Sequence, residues 1–153
     1  MTLESLVINY RNAIEAAKDN NEQGRFFIKF PAGQCGHTSD MLSQYLIDNG
    51  YGPITYINGT YYGGSWKDIY SHTWLVVENK IIDITGDQFK YHKMPLTNDV
   101  PIYIGAMTDF YRLFEVDHRN KHEHFGIDRK WINYSELMDW YNIIKNTCSL
   151  YLA

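Results

Sequence analysis

The chain has only 2 cysteines and 4 prolines in its 153 residues. Cys35 and Cys148 lie far apart and lack CxxC spacing, which argues against a disulfide framework or a cysteine-rich zinc site. At least one thiol is therefore expected to be free. Basic residues are scarce as well: 14 Lys+Arg against 18 Asp+Glu leave a formal charge of -4 and no excess to neutralise phosphates, so nucleic acid is not an expected partner. Long apolar runs are missing too. Met1 to Lys18 carries Glu4, Arg11 and Glu15 in a helical pattern, not a basic patch followed by an apolar stretch, and no later segment approaches membrane-spanning length. The expectation is a soluble cytoplasmic protein without a membrane partner. What the chain does have is 44% hydrophobic residues, enough for one substantial core, and a single domain over residues 1–153 follows.

Leu3, Leu6, Val7, Tyr10, Ala13, Ile14 and Ala17 recur at three and four, which predicts an amphipathic helix from about Thr2, its N-cap, to Lys18, ended by Asp19-Asn20-Asn21. Arg25 to Phe30 is short, apolar and aromatic, and it runs into the breaker cluster Pro31-Ala32-Gly33. A second helix is predicted over Cys35 to Asp48, where Thr38, Met41, Leu42, Tyr45 and Leu46 keep helical spacing until Asn49-Gly50 stops it. Cys35 thus falls in a first helical turn.

Beyond Pro53 the period changes. Ile54 to Ile57 and Thr60 to Tyr62 read as strand, with Asn58-Gly59 as a tight turn or a bulge, and Gly63 to Asp68 reads as a loop. Ser71 to Val77 and Lys80 to Thr85 read as paired strands, closed by Gly86. A further strand is expected at Val100 to Ile104. Asp109 to Val116 fits either strand or helix, and a last helix spans about Ser135 to Thr147, with Leu137, Trp140, Tyr141 and Ile144 on one face. The order helix, helix, antiparallel strands makes the fold class α+β.

The hairpin register follows from its turn. If Glu78-Asn79 is a two-residue loop, Val77 faces Lys80 and Trp74 faces Asp83, so His72 and Asp83 share one face as diagonal neighbours, about 7–8 Å apart at the backbone. Leu75, Val77, Ile82 and Ile84 then form an apolar surface on the other face, which supports the same register. A three-residue turn separates His72 from Asp83. A turn at Asn79-Lys80 instead puts Asp87 opposite His72, as a rival to Asp83. Asp83 is preferred because it sits inside the apolar run Ile81 to Ile84, where a buried carboxylate needs partners.

A carboxylate beside an imidazole fixes its tautomer and stabilises the imidazolium, so the ring can take and return a proton. Cys35 is the candidate nucleophile, because a thiol in a helix's first turn feels the positive end of the helix dipole and an adjacent imidazolium favours thiolate further. Gln34-Cys35-Gly36 also brings main-chain N–H groups close to the sulfur, where an oxyanion would develop.

Pro31 to Gly36 opening a helix, His72-Thr73-Trp74 starting a strand and Asp83 on the next strand resemble the transglutaminase-like branch of the papain-like fold. The resemblance covers roughly Phe30 to Phe89. It implies a papain-like core with N-terminal helices packed on an antiparallel sheet, and Cys35, His72 and Asp83 as a triad for thiol-dependent acyl transfer. The bond is of amide type, in glutamine deamidation, transamidation or peptide hydrolysis. No metal or organic cofactor is implied, and the partner is a peptide, protein or small amide substrate. Gln34, Gly36, Trp74 and Trp66 are the candidate oxyanion and substrate-binding residues, and Gly63-Gly64 with the Trp66 loop is a candidate movable rim. The chain shows no counterpart of the extra domain of arylamine N-acetyltransferases or of the flanking sandwich domains of large transglutaminases, so the substrate class stays open.

The competing reading is a non-catalytic papain-like domain that binds a peptide or protein partner, with Cys35 a small core residue and His72–Asp83 a stabilising pair. His118, His122 and His124 form an H-x3-H-x-H run in which His118 and His122 would share a helix face. The cationic neighbours Arg119 and Lys121 oppose a divalent ion, and no metal site is expected. His37 is expected at the surface and Cys148 in the core. Asn58-Gly59-Thr60 matches a glycosylation acceptor but reads more simply as turn chemistry.

Overall fold

A computed structural model describes residues 1–19, 27 and 29–152 of the chain. Asn20 and Asn21, and Arg25, Phe26 and Ile28 of the aromatic segment, lie outside them. Helix α1 spans Leu3–Lys18, and Thr2 caps it by accepting the Ser5 N–H at 3.1 Å. Its expected apolar stripe is buried from Leu3 to Ala17. Helix α2 spans Cys35–Asp48, buries Met41, Leu42, Tyr45 and Leu46, and stops at Asn49 before Gly50, whose φ of +87° favours glycine.

Five antiparallel strands follow: β1 (Ile54–Tyr62), β2 (Ile69–Val77), β3 (Lys80–Asp83), β4 (Tyr103–Gly105) and β5 (Lys121–His124), in the spatial order β4-β3-β2-β1-β5. Helix α3 is the short Asp109–Arg112, and α4 spans Tyr134–Leu152. The class is α+β, as expected. Among the described residues, no helix is long and apolar enough to cross a membrane.

The two faces of the sheet are covered differently. Ile54, Leu75, Val77, Ile82 and Ile84 pack under α1, α2 and α4 in the larger core, while Ile57, Trp74 and Ile81 pack under Phe89, Leu96, Tyr111 and Phe114. Alternation along each strand forces this split, since neighbouring side chains leave on opposite sides.

Several elements differ from the sequence reading. β1 runs straight through Asn58-Gly59, without turn or bulge, because Asn58 pairs with Thr73 and Gly59 with His72 along a continuous ladder. Glycine serves packing there. A Cβ at Gly59 would stand 2.6 Å from Phe114 Cβ, closer than real atoms approach, and 3.2 Å from the Trp74 ring, a tight contact.

β3 ends at Asp83, two residues short of expectation, because α1 captures the chain that follows. Arg11, 6% exposed, donates from Nη1 to the Ile84 carbonyl at 2.6 Å and to Asp87 Oδ1 at 2.9 Å, and from Nη2 to Asp87 Oδ2 at 2.8 Å. Such a two-pronged, charge-assisted grip outcompetes two more ladder bonds. Gly86 accordingly opens a single helical turn, Gly86–Phe89, and does not close the hairpin. The expected strand at Val100 to Ile104 forms at Tyr103–Gly105. Of Asp109 to Val116, the first four residues are helix.

Candidate active site

The β2–β3 turn is the two-residue loop: Glu78 and Asn79 have φ of 52° and 62°, Val77 pairs with Lys80 and Leu75 with Ile82. His72 and Asp83 therefore leave the sheet on the same side, and His72 Nε2 lies 2.7 Å from Asp83 Oδ2. Both are buried, at 0% and 2% exposure. A carboxylate at that depth needs several donors, and Asp83 has them. Tyr111 donates its hydroxyl to Oδ2 at 2.7 Å, and Thr85 donates its N–H to Oδ1 at 3.0 Å and its hydroxyl at 3.4 Å. The rings of Trp74, Phe89, Phe110, Tyr111 and Phe114 surround His72 with centroids 5.2 to 6.4 Å away.

Cys35 enters from α2. The Pro31–Gly33 turn, with Gly33 at φ +70°, delivers the chain to the helix start, where the Gln34 N–H donates to Pro31 O at 3.3 Å and the Gln34 carbonyl accepts the Thr38 N–H at 2.9 Å. The early end of β3 matters here. By the alternation of an antiparallel ladder, the Thr73 N–H points toward the place that Ile84 vacates when Arg11 draws it away. That N–H, the Thr73 hydroxyl and the His72 ring all act on the Cys35 sulfur.

The electrostatics follow. Burial pushes the Cys35 thiol up, but hydrogen bonding and charge from His72, then Thr73, outweigh it and hold the thiol below its ordinary value. Burial pushes His72 down, yet the Asp83 charge and hydrogen bond, with Cys35 adding, lift it to about 9. Asp83 is opposed by its complete burial and still held below the usual carboxylate range by His72, Thr85 and Tyr111. Each group thus favours the charged form of the other.

The other ring nitrogen, Nδ1, is 2.8 Å from Gln88 Nε2. A carboxamide presents N–H to a neutral ring and, turned over, its oxygen to a protonated one. Beside Gln88 opens a cavity of about 300 Å³, between Phe30–Ala32, which lead into α2, and Gln88–Tyr91. A larger cavity of about 550 Å³ is lined by Tyr61, Asp68, Tyr70 and His92, and Tyr91 borders both spaces; neither cavity is lined by Cys35 or His72.

No protein-family model, curated protein or solved structure matches this chain.

Three of the residues singled out in the sequence, Cys35, His72 and Asp83, come together, with Gln34 and Gly36 flanking the thiol along the chain. Asp87 does not compete for His72, because Arg11 holds both its oxygens. Trp74 is 1% exposed and packs behind His72, so it supports the imidazole and presents no surface to a substrate. Trp66 is 79% exposed on the turn between β1 and β2, with the Lys67 ammonium over its ring, outside the cage around His72. His37 is exposed and Cys148 is buried, where burial pushes its thiol up to about 11.

The histidine run does not form one helix face: His118 lies in a short turn, whereas His122 and His124 lie on β5. Among the described residues, no group of three His, Cys, Asp or Glu is arranged to hold a metal ion. His124 is instead paired, its Nε2 2.9 Å from Asp40 Oδ1. Sequence reasoning missed Tyr111, Thr73, Thr85 and Gln88. The (i, i+1, i+4) set Phe110, Tyr111 and Phe114 was the available signal for an aromatic cover, but its target lay on another element.

Proposed function

We propose that this protein is a thiol-dependent hydrolase or acyltransferase acting on an amide-type bond, built on a papain-like core of the transglutaminase-like kind. Cys35 is the nucleophile, His72 the general base and acid, and Asp83 its orienter. The observation that carries this reading is that the Cys35 sulfur and the His72 ring act on each other while Asp83 Oδ2 holds Nε2 at 2.7 Å, so that proton exchange with the sulfur falls to Nδ1.

The thiolate adds to the carbonyl carbon, forming the S–C bond while the C=O electron pair moves to oxygen. Collapse breaks the C–N bond, and the leaving amine takes the proton from His72 Nδ1. Water or a second amine then attacks the thioester, giving its proton back to Nδ1 and restoring the thiolate. A glutamine side chain and a peptide bond both suit this chemistry.

The grip of Gln88 on Nδ1 favours a second reading, a binding domain for a peptide or protein with no chemistry, because it occupies the nitrogen the sulfur needs. Covalent trapping separates the two readings: an electrophilic amide analogue should attach to Cys35 in the first and leave no adduct in the second.

The direct test is iodoacetamide labelling near pH 6. Cys35 should alkylate much faster than Cys148, by roughly tenfold per unit by which its thiol is held lower. His72→Ala should remove the difference. Equal slow labelling of both thiols in the unaltered chain would falsify the enzyme reading.

A further inference from the structure

Tyr56 faces the amino end of α2 from β1. It pairs with Leu75, so its side chain leaves the sheet on the helix-covered face, the same face as Thr73 two residues along β2. A Cβ placed on Gly36 would stand 3.5 Å from the Tyr56 hydroxyl oxygen, which puts that oxygen against the residue following the nucleophile. The Thr73 hydroxyl reaches both the Cys35 sulfur and the Tyr56 oxygen. Sulfur, threonine hydroxyl and phenol therefore crowd one spot at the helix start.

The phenol ring is held in place. His122 stacks on it with centroids 5.0 Å apart and planes at 28°, and His124 lies at 5.7 Å. His124 is itself pinned, by Asp40 at 2.9 Å and by the Gly126 N–H donating to Nδ1 at 3.0 Å. Two histidines of the H-x3-H-x-H run, His122 and His124, are thus a shelf for a tyrosine.

Resting on the thiol reading above, we propose that the Tyr56 hydroxyl is the side-chain donor of the oxyanion hole. As the S–C bond forms and the carbonyl electron pair moves to oxygen, that oxygen accepts a hydrogen bond from Tyr56 and from the first-turn N–H groups of α2. Tyr56 keeps its proton throughout; the proton that reaches the leaving amine comes from His72. A donor in this role must stay protonated, and the phenol does: burial and the Asp40 charge, with Cys35 adding and Thr73 opposing, push it up to about 12.

Two reagents distinguish this role from a merely structural one. p-Nitrophenyl acetate acylates sulfur through a tetrahedral oxyanion, whereas iodoacetamide displaces iodide at a saturated carbon and forms none. In the full chain, Tyr56→Phe should slow p-nitrophenyl acetate acylation of Cys35 by about 10²-fold. Its iodoacetamide rate should stay within about twofold of the unaltered chain, which also verifies that the thiol and fold survive. Equal losses with both reagents overturn the proposal, because Tyr56 then acts on the thiolate and not on the oxyanion. Undiminished acylation overturns it as well. If Cys35 of the unaltered chain labels no faster than Cys148, the thiol reading fails and this inference falls with it, an outcome distinct from the other two.

Discussion

The sheet carries a histidine–carboxylate pair on each face, with both histidines buried, and the two differ in what meets the second ring nitrogen. In both, Nε2 approaches an aspartate, at 2.7 Å for His72–Asp83 and 2.9 Å for His124–Asp40. His124 Nδ1 accepts a hydrogen bond from the Gly126 main chain, a group that can only donate, so the ring proton is fixed on Nε2. His72 Nδ1 meets a carboxamide and the ring also acts on a thiol, two groups that can face either a bare or a protonated nitrogen. A His–Asp contact alone is therefore no sign of chemistry. The partner of the remaining nitrogen decides whether the ring is a strut or a proton carrier.

The largest expected break in this contrast comes from Arg11. Its grip on Asp87 and Ile84 ends β3 early and frees the Thr73 N–H on the His72 side, and the guanidinium is largely buried. Arg11→Met should leave the Asp87 charge unpaired and lower unfolding free energy by about 3 kcal/mol, read from urea denaturation. A loss below about 1 kcal/mol means the clamp is not what shapes the segment.

Substituting the two aspartates sharpens the comparison directly. Asp83→Asn removes the charge that lifts His72, so Cys35 alkylation at pH 6 should slow by about 10- to 100-fold. Asp40→Asn should change that rate by less than about threefold. Similar losses from both would erase the functional distinction drawn between the pairs.

The smallest effect is a pH dependence. His72 is raised from an ordinary 6.5 to about 9, so its contribution to stability is fully present below pH 6.5 and is lost as pH rises to about 9. In a Cys35→Ser chain, which removes the thiol's own ionisation, the unfolding free energy read from urea denaturation should fall across that window, by on the order of 1 kcal/mol, and the urea midpoint with it. Adding His72→Ala should flatten the fall. A midpoint that rises instead contradicts the charge assignment.

Much of this site was legible in the sequence because its first steps are local. Glu78-Asn79 tolerates the positive φ of a two-residue turn, and the register of Val77 and Lys80 then carries His72 and Asp83 to one face without further input. The limits of α2, and hence the place of Cys35, follow from apolar spacing and the Asn49-Gly50 stop. Asn58-Gly59 shows where local reasoning fails. A strong turn signal is overridden by pairing with β2 along its whole length and by the crowding of Phe114 and Trp74 over the glycine.

By itself the sequence determined the helices, the hairpin and the pairing of imidazole with carboxylate, because each rests on contacts among near neighbours whose geometry is set by turn type and periodicity. Tertiary structure alone decided that Arg11 pulls Ile84 away from β2, that Tyr111 completes the shell of Asp83, and that Tyr56, not Trp74 or Trp66, stands over the first turn of α2. Those contacts join residues on different elements, far apart along the chain. No period or spacing encodes them, since they depend on how helices and sheet close on each other as their apolar faces leave water.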